Sequence, residues 1–266
     1  FKNRTISVAV AAGFLAGVAM FGAISFVPLF AQGALGLTAT QAGSLLTPLM
    51  LSWVLMSTIG GRVLLKVGFR PLAIAGFVVL TAGFIFLALF QRETPRFWLY
   101  IDLIFVGAGL GMTMLTLLIA VQQAVERHQL GIATSLNQFS RAIGGAFGVA
   151  IMGAFLTAGL AVQLNKIARG GNANLSIEQA AAYASNPNAL IDPQAKATLA
   201  PEILEVLQQA MAVSIHRVFW VGAVLSFLAL LVALFLPKRG DISETYKTDE
   251  NRGEKMLVAE QTTIKV

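Results

Sequence analysis

Six long apolar runs divide most of this chain and constrain its fold more than any other feature. In chain order they cover residues 6–30, 42–59, 72–90, 97–120, 132–160 and 213–236. A helix needs about 20 mostly apolar residues to cross a bilayer, and in lipid only helices and closed barrels satisfy their own backbone groups. The pattern predicts an all-α integral membrane protein with six transmembrane helices, which we number as the first to sixth span.

The composition excludes several other classes of protein. Hydrophobic residues make up 56% of the chain and charged residues 12%, whereas soluble domains carry about 25% charged residues, so a free soluble globule is excluded. The chain has no cysteine, which removes thiol nucleophiles and cysteine-ligated metals. Its only histidines, His128 and His216, cannot form a His-x-x-x-His zinc site. The sequence also lacks a serine-hydrolase elbow and a phosphate-binding loop, which favours transport over an enzyme reaction.

Basic residues fall unevenly in the short connections, and this sets the predicted orientation. One side carries eight of them, namely Lys2, Arg4, Arg62, Lys66, Arg70, Arg127, Lys238 and Arg239. The other side carries Arg92 and Arg96, with three more spread through the long connection before the sixth span. Because cytoplasmic loops are rich in Lys and Arg, we predict a multi-pass protein of the plasma (inner) membrane with both ends in the cytoplasm. This bias also accounts for the net positive charge, so we expect no nucleic-acid partner.

Four regions follow along the chain. We predict spans one to five within 1–160, an extracytoplasmic connection with short helices at 161–212, the sixth span at 213–236, and a flexible cytoplasmic tail at 237–266.

Two signals predict helices within the long connection. Ser176 and Gln179 have the spacing of a capping box, which predicts a short helix to about Ala184, and the sequence at 186–188 predicts its end. Pro201 suits the first residue of a helix that continues into the sixth span and projects beyond the outer face.

Glycines recur at helical spacing inside three spans. They are Gly13 and Gly17 in the first, Gly107, Gly109 and Gly111 in the fourth, and Gly144 and Gly148 in the fifth. Helices in lipid associate largely through close packing of small residues, so these positions predict tight helix contacts. A nucleotide-binding interpretation of residues 107–111 lacks the strand-turn-helix context that it requires.

A polar stripe runs along the cytoplasmic third of the fifth span. Thr134, then Asn137 or Gln138, then Arg141 repeat at helical spacing. Such a stripe should face a protein interior or water rather than lipid. Residues 142–160 are nearly long enough to cross alone, however, which would leave Arg141 at the cytoplasmic boundary. Both interpretations stand on the sequence.

Two further titratable residues lie near the outer ends of spans. Asp102 is about five residues into the fourth span, where it is either a proton carrier or a structural partner of Arg217 in the sixth. His216, beside Arg217, has a side chain suited to proton handling, whereas His128 has the setting of a solvated surface residue.

Pro28 and Pro48 predict bends or breaks in the first and second spans.

Several strings resemble the major facilitator superfamily. The stretch at 26–37, FVPLFAQGALGL, with QAG at 41–43 and LTP at 46–48, is similar to the second half of the fourteen-helix drug:proton antiporters of the EmrB/QacA type. Residues 131–148 resemble the penultimate helix of the same branch. Residues 61–70 resemble a degenerate gating-loop motif that retains Gly61, Lys66, Gly68 and Arg70, while Leu65 stands at its usual acidic position.

The resemblance implies a carrier of two six-helix halves, each a 3+3 inverted repeat, that works by alternating access. This chain matches the C-terminal half, so we expect a truncated or processed portion of a carrier. The implied function is proton-coupled export of small amphiphilic or cationic compounds, with no cofactor and the proton gradient as energy source. The first, second, fourth and fifth spans would line the cavity, Asn137, Gln138 and Arg141 would border the substrate path, and Asp102 is a candidate titrating site.

The implied partners are the lipid bilayer, the N-terminal half of the same carrier and the small amphiphilic substrate, and a periplasmic adaptor protein is a further candidate. An alternative is a membrane scaffold or half-size subunit that pairs with another six-helix chain without transporting. A channel is a weaker alternative, because no ring of charges or filter-like backbone segment is evident.

Overall fold

The computed structural model describes residues 4–90, 94–170, 176–185, 191–192 and 200–237, and in these ranges it contains helices and no strand. The helices are α1 (Arg4–Gly33), α2 (Ala39–Ser44), α3 (Leu46–Val67), α4 (Phe69–Leu89), α5 (Arg96–Gln123), α6 (Leu130–Gly170), α7 (Ile177–Ser185) and α8 (Pro201–Ala233), with a 3-10 turn at Arg127–Gln129. Six helical segments are long and apolar enough to cross a membrane, with α2 and α3 counted as one. The predicted all-α fold with six spans is confirmed.

The second span differs from its prediction at both ends. A separate short helix, α2, precedes it and is capped by Thr38, whose side chain and backbone exchange hydrogen bonds with Gln41. The main helix α3 then extends to Val67, eight residues beyond the predicted end at 59. Pro48 lies in the first turn of α3, where its missing N–H breaks no helical hydrogen bond. The predicted break therefore falls before Pro48, whereas α1 runs through Pro28 unbroken.

The long connection before the sixth span is more helical than the sequence predicted. Helix α6 continues to Gly170, ten residues past the predicted end of the fifth span, and its 41 residues give a length of about 61 Å, against about 30 Å of hydrocarbon. Pro201 begins α8 as predicted. The capping box of Ser176 and Gln179 is confirmed at the start of α7. The predicted break at 186–188, most of the tail, and Lys2, Arg92, Lys238 and Arg239 lie outside the described residues.

The six long helices form two three-helix repeats, and the first helix of each repeat packs against the second helix of the other. Helices α1 and α5 contact each other at the centre, and each packs extensively against the second helix of the other repeat, α1 against α6 and α5 against α3. Behind them α4 and α8 pack together, with α4 also on α5 and α8 also on α1. The pattern relates α1, α3 and α4 to α5, α6 and α8, which is the arrangement that the 3+3 repeat requires.

The predicted glycine contacts between α1 and α6 are confirmed. Gly144 faces the backbone of Phe14, and Gly17 faces the backbone of Arg141. A β-carbon at Gly13 would lie 2.9 Å from Asn137 Oδ1, and one at Gly148 would lie 2.7 Å from a methyl carbon of Val18. Because side chains at these positions would collide with the facing helix, the glycines allow α1 and α6 to approach closely.

The glycines of α5 serve both of its neighbours. Gly107 and Gly111 face the backbones of Leu49 and Trp53 in α3. Gly109 lies on the other side, where a β-carbon would be 2.7 Å from the backbone nitrogen of Leu80 in α4. The cluster at 107–111 is therefore a packing surface, as its transmembrane context predicted.

Candidate functional site

The polar stripe of α6 faces the interior of this half. Thr134 accepts a hydrogen bond of 3.2 Å from Gln122 Nε2 of α5, and Ser140 Oγ donates one of 2.9 Å to the carbonyl of Val10 in α1. Asn137 is 3% exposed, whereas its neighbour Gln138 is exposed on the outside. Of the two residues that the periodicity left open, Asn137 therefore belongs to the inward stripe and Gln138 does not.

Arg141 lies near the middle depth of the bundle. Its backbone faces Gly17, about 20 Å along α1 from Arg4 at 1.5 Å per residue, and α1 has 30 residues in all. The guanidinium Nη1 donates a hydrogen bond of 3.3 Å to the sulfur of Met114 in α5. Arg141 is half-buried. This depth favours the interior interpretation over a position at the cytoplasmic boundary.

The two repeats place different side chains at equivalent positions. In α1, Gly13 faces the side chain of Asn137 and Gly17 faces the backbone of Arg141. In α5, Gly107 faces the backbone of Leu49 and the hydroxyl of Ser52, and Gly111 faces the backbone of Trp53. The polar side chain at this contact of α3 is the hydroxyl of Ser52, which donates a hydrogen bond to the carbonyl of Leu49 in its own helix, whereas α6 carries an amide and a guanidinium. Polar residues in a membrane are costly and are commonly functional, so Asn137 and Arg141 are the best candidates for a functional role.

Asp102 is buried without a partner. It is 5% exposed, and among the described residues neither carboxyl oxygen has a hydrogen-bond partner. At helical spacing it lies on the stripe of α5 that includes Val106 and Gly109, both of which contact α4. The predicted pairing with Arg217 is wrong, because Arg217 lies on the exposed side of α8 while Asp102 faces α4.

His216 has partners that the sequence did not indicate. Its ring centre is 5.9 Å from that of Phe30, and the ring is in a hydrogen-bonding interaction with the backbone of Phe90. Its Nε2 has no hydrogen-bond partner among the described residues. Phe30 also packs edge-to-face on Phe90 and Phe219. These contacts join α1, α4 and α8 at one end of the bundle. No periodic signal could have found them, because the partners are far apart in sequence.

The segment similar to the gating loop is almost entirely helical. Gly68 is the single residue between α3 and α4, and its φ of 87° confirms its role in a tight turn. Lys66 lies in the last turn of α3 and Arg70 in the first turn of α4. Gly61, which we expected to take part in the turn, lies inside α3 and faces Leu115.

His128 is exposed beside Glu126, 3.3 Å away, as predicted.

Comparison with known proteins identifies the family. The sequence model of the Major Facilitator Superfamily matches residues 1–149, more than half of the 266 residues. The chain belongs to the major facilitator superfamily, with the fold of one six-helix half. With six helices suited to crossing a bilayer, it is a multi-pass membrane protein.

Its relatives carry the names of drug transporters. It is 31% identical to the multidrug transporter protein MdtP of Bacillus subtilis (strain 168), over 97% of this chain and 50% of that protein. It is also 31% identical to multidrug resistance protein 3 of the same organism, over 90% and 46% of the two chains. The multidrug export protein EmrB of Haemophilus influenzae is 26% identical over 90% and 46%. The chain spans about half the length of these relatives.

Proposed function

We propose that this chain is the C-terminal half of a fourteen-helix efflux carrier that exports small molecules in exchange for protons. The observation that carries the proposal is the polar stripe of α6, in which Asn137 is buried against Gly13 and Arg141 lies near middle depth. Polar groups at this depth are suited to a solute that leaves water for the interior of the protein. The names of the relatives support the export of drugs. We therefore propose a carrier and not an enzyme.

The N-terminal half is the proposed structural partner. Helices α3 and α6 leave the widest uncovered faces of the six spans, since the smallest fraction of their apolar residues is buried. Exposed large side chains line both helices, including Leu51, Val54 and Leu55 on α3 and Phe139, Phe147 and Phe155 on α6. We propose that α3 and α6 meet the N-terminal half and that α1 and α5 complete the cavity between them. The relatives' double length supports this pairing.

Asp102 is the proposed proton carrier of this half. An apolar site without a hydrogen-bond partner accommodates a neutral carboxylic acid at much lower cost than a carboxylate. Rocking of the helices around α5 would bring the group into contact with water, where it releases its proton. Such a cycle uses the proton gradient as its energy source and needs no cofactor.

The proposed orientation places both ends in the cytoplasm of a cell whose plasma membrane holds the protein. The clustering of Arg62, Lys66 and Arg70 around the junction of α3 and α4 supports it. The long outer parts of α6 and α8 would then project from the opposite face, where a periplasmic adaptor protein could bind.

A test begins with the coding sequence upstream of residue 1. An in-frame reading with eight further spans supports the proposal, and the joined protein, called the complete carrier below, is then assayed in inside-out vesicles with fluorescent amphiphiles of either charge, ethidium among them. We expect uptake that requires an imposed pH gradient and stops when nigericin collapses it. Uptake that ignores the gradient would refute proton coupling.

A half-size subunit is the second candidate, because the chain spans about half the length of its relatives. A start codon close to residue 1, together with co-purification of a second six-helix chain and no uptake by the pair, would favour this scaffold role.

A further inference from the structure

Arg141 is a basic residue near the centre of this half, and the described residues place no anion beside it. Its guanidinium donates to the thioether of Met114, which is a weak acceptor for a group with five N–H donors. The described residues form no ion pair with Arg141. Removing an arginine from water without an anionic partner is costly. Binding of an anion beside Arg141 is therefore favourable.

The helices around Arg141 do not supply one. Helices α1 and α6 contain no Asp or Glu, and Asp102 is the acidic residue of α5. Asp102 lies on the stripe that faces α4, and about 18 Å along the helix axis separates it from Met114 at 1.5 Å per residue. An anion for Arg141 would therefore come from outside the described residues.

We propose that Arg141 binds the anionic group of the transported substrate, so that this carrier exports acidic amphiphiles with a carboxylate or sulfonate. The inference rests on the proposed efflux function and replaces the expectation of cationic substrates. The geometry allows exchange, because a substrate carboxylate that displaces Met114 leaves behind only a weakly accepting sulfur. Met114 is also flexible and polarisable, which suits a site that accepts apolar bodies of different shapes.

The experiment uses the complete carrier in inside-out vesicles with two dansyl probes that differ only in their end group, a carboxylate or a trimethylammonium. Wild-type protein should accumulate more of the carboxylate probe than of the trimethylammonium probe. R141Q should lower its uptake at subsaturating concentration by about 10- to 100-fold, the range for loss of a charge-assisted hydrogen bond. R141K should retain more uptake than R141Q because it keeps the charge.

A matched control is R217Q, which removes the same charge from an exposed position on α8 and should leave both probes unaffected. Uptake of the trimethylammonium probe should change by less than about twofold in R141Q, since an interaction with the carboxylate group alone is lost.

Three outcomes would overturn the inference. Unchanged uptake of the carboxylate probe by R141Q would show that Arg141 does not bind it. Equal losses for both probes in R141Q would show that Arg141 pairs with an acidic side chain of the N-terminal half or supports the fold. Preference of the wild type for the trimethylammonium probe would show the opposite substrate class. Uptake of neither probe, nor of ethidium, would instead refute the efflux function itself.

Discussion

The close contact between α1 and α6 predicts that an alanine at Gly148 destabilises the bundle. The added methyl carbon would lie 2.7 Å from Cγ1 and 2.8 Å from Cα of Val18, whereas carbon atoms pack best at about 3.5–4.0 Å. The helices must separate by up to about 1 Å to relieve this contact, and overpacking costs about 1–3 kcal/mol. Because alanine favours a helix over glycine by about 0.5–1 kcal/mol, we expect a net loss of up to about 2.5 kcal/mol.

Gly153 provides the control within the same helix. No heavy atom lies within 4 Å of a β-carbon there. The substitution G153A therefore changes only the helix propensity and should stabilise the protein by about 0.5–1 kcal/mol. The free energy of unfolding is measured for both variants by titration with SDS in mixed micelles, followed by circular dichroism. If G148A proves as stable as G153A, the tight approach of α1 and α6 is wrong.

A double-mutant cycle with V18A locates the collision. Alanine at residue 18 removes Cγ1 but keeps the Cα at 2.8 Å, so V18A should relieve only part of the cost of G148A. Full relief would mean that only the side chain obstructs the methyl group, and that the backbones are farther apart than the structure has them.

Three further predictions concern other sites. D102L removes a buried, unpartnered carboxyl group and should raise the free energy of unfolding of the chain by about 1–3 kcal/mol while it abolishes gradient-driven uptake by the complete carrier; a loss of stability would indicate a partner for Asp102. G68A forces alanine into a backbone conformation with φ of 87° and should cost about 1–3 kcal/mol, whereas G131A, with open space at its β-carbon, should not destabilise. T38A removes the capping box of α2 at a cost of about 0.5–2 kcal/mol, so hydrogen exchange should become faster in α2, and unchanged protection there would contradict the role of the cap.

The sequence predicted the number of helices and much of their packing because both depend on local patterns. Apolar length alone identifies a span, and glycines four residues apart identify a face that another helix can approach closely. The capping box at Ser176 and the helix start at Pro201 were equally readable, since caps depend on neighbouring residues. These features need no knowledge of which helix packs against which.

What the sequence could not predict depends on how each helix is rotated and on distant neighbours. Asn137 and Gln138 differ by about 100° around the helix, and only the position of α1 decides which of them is buried. The predicted pair of Asp102 and Arg217 failed for the same reason, because both lie near the outer ends but face different ways. The contacts of His216 with Phe30 and Phe90 join three helices that are remote in the chain. The end of α6 was misplaced because a bilayer limits the apolar length of a helix but not its total length.

Because α6 is long, a small tilt of this helix displaces its far end by several times more than its middle. From Arg141 to Gly170 the helix extends about 43 Å at 1.5 Å per residue. A tilt of about 10° around the level of Arg141 would carry Gly170 sideways by about 7 Å over this length. Small movements at the depth of Arg141 are thus magnified at the far tip, where a spectroscopic label would register them most readily.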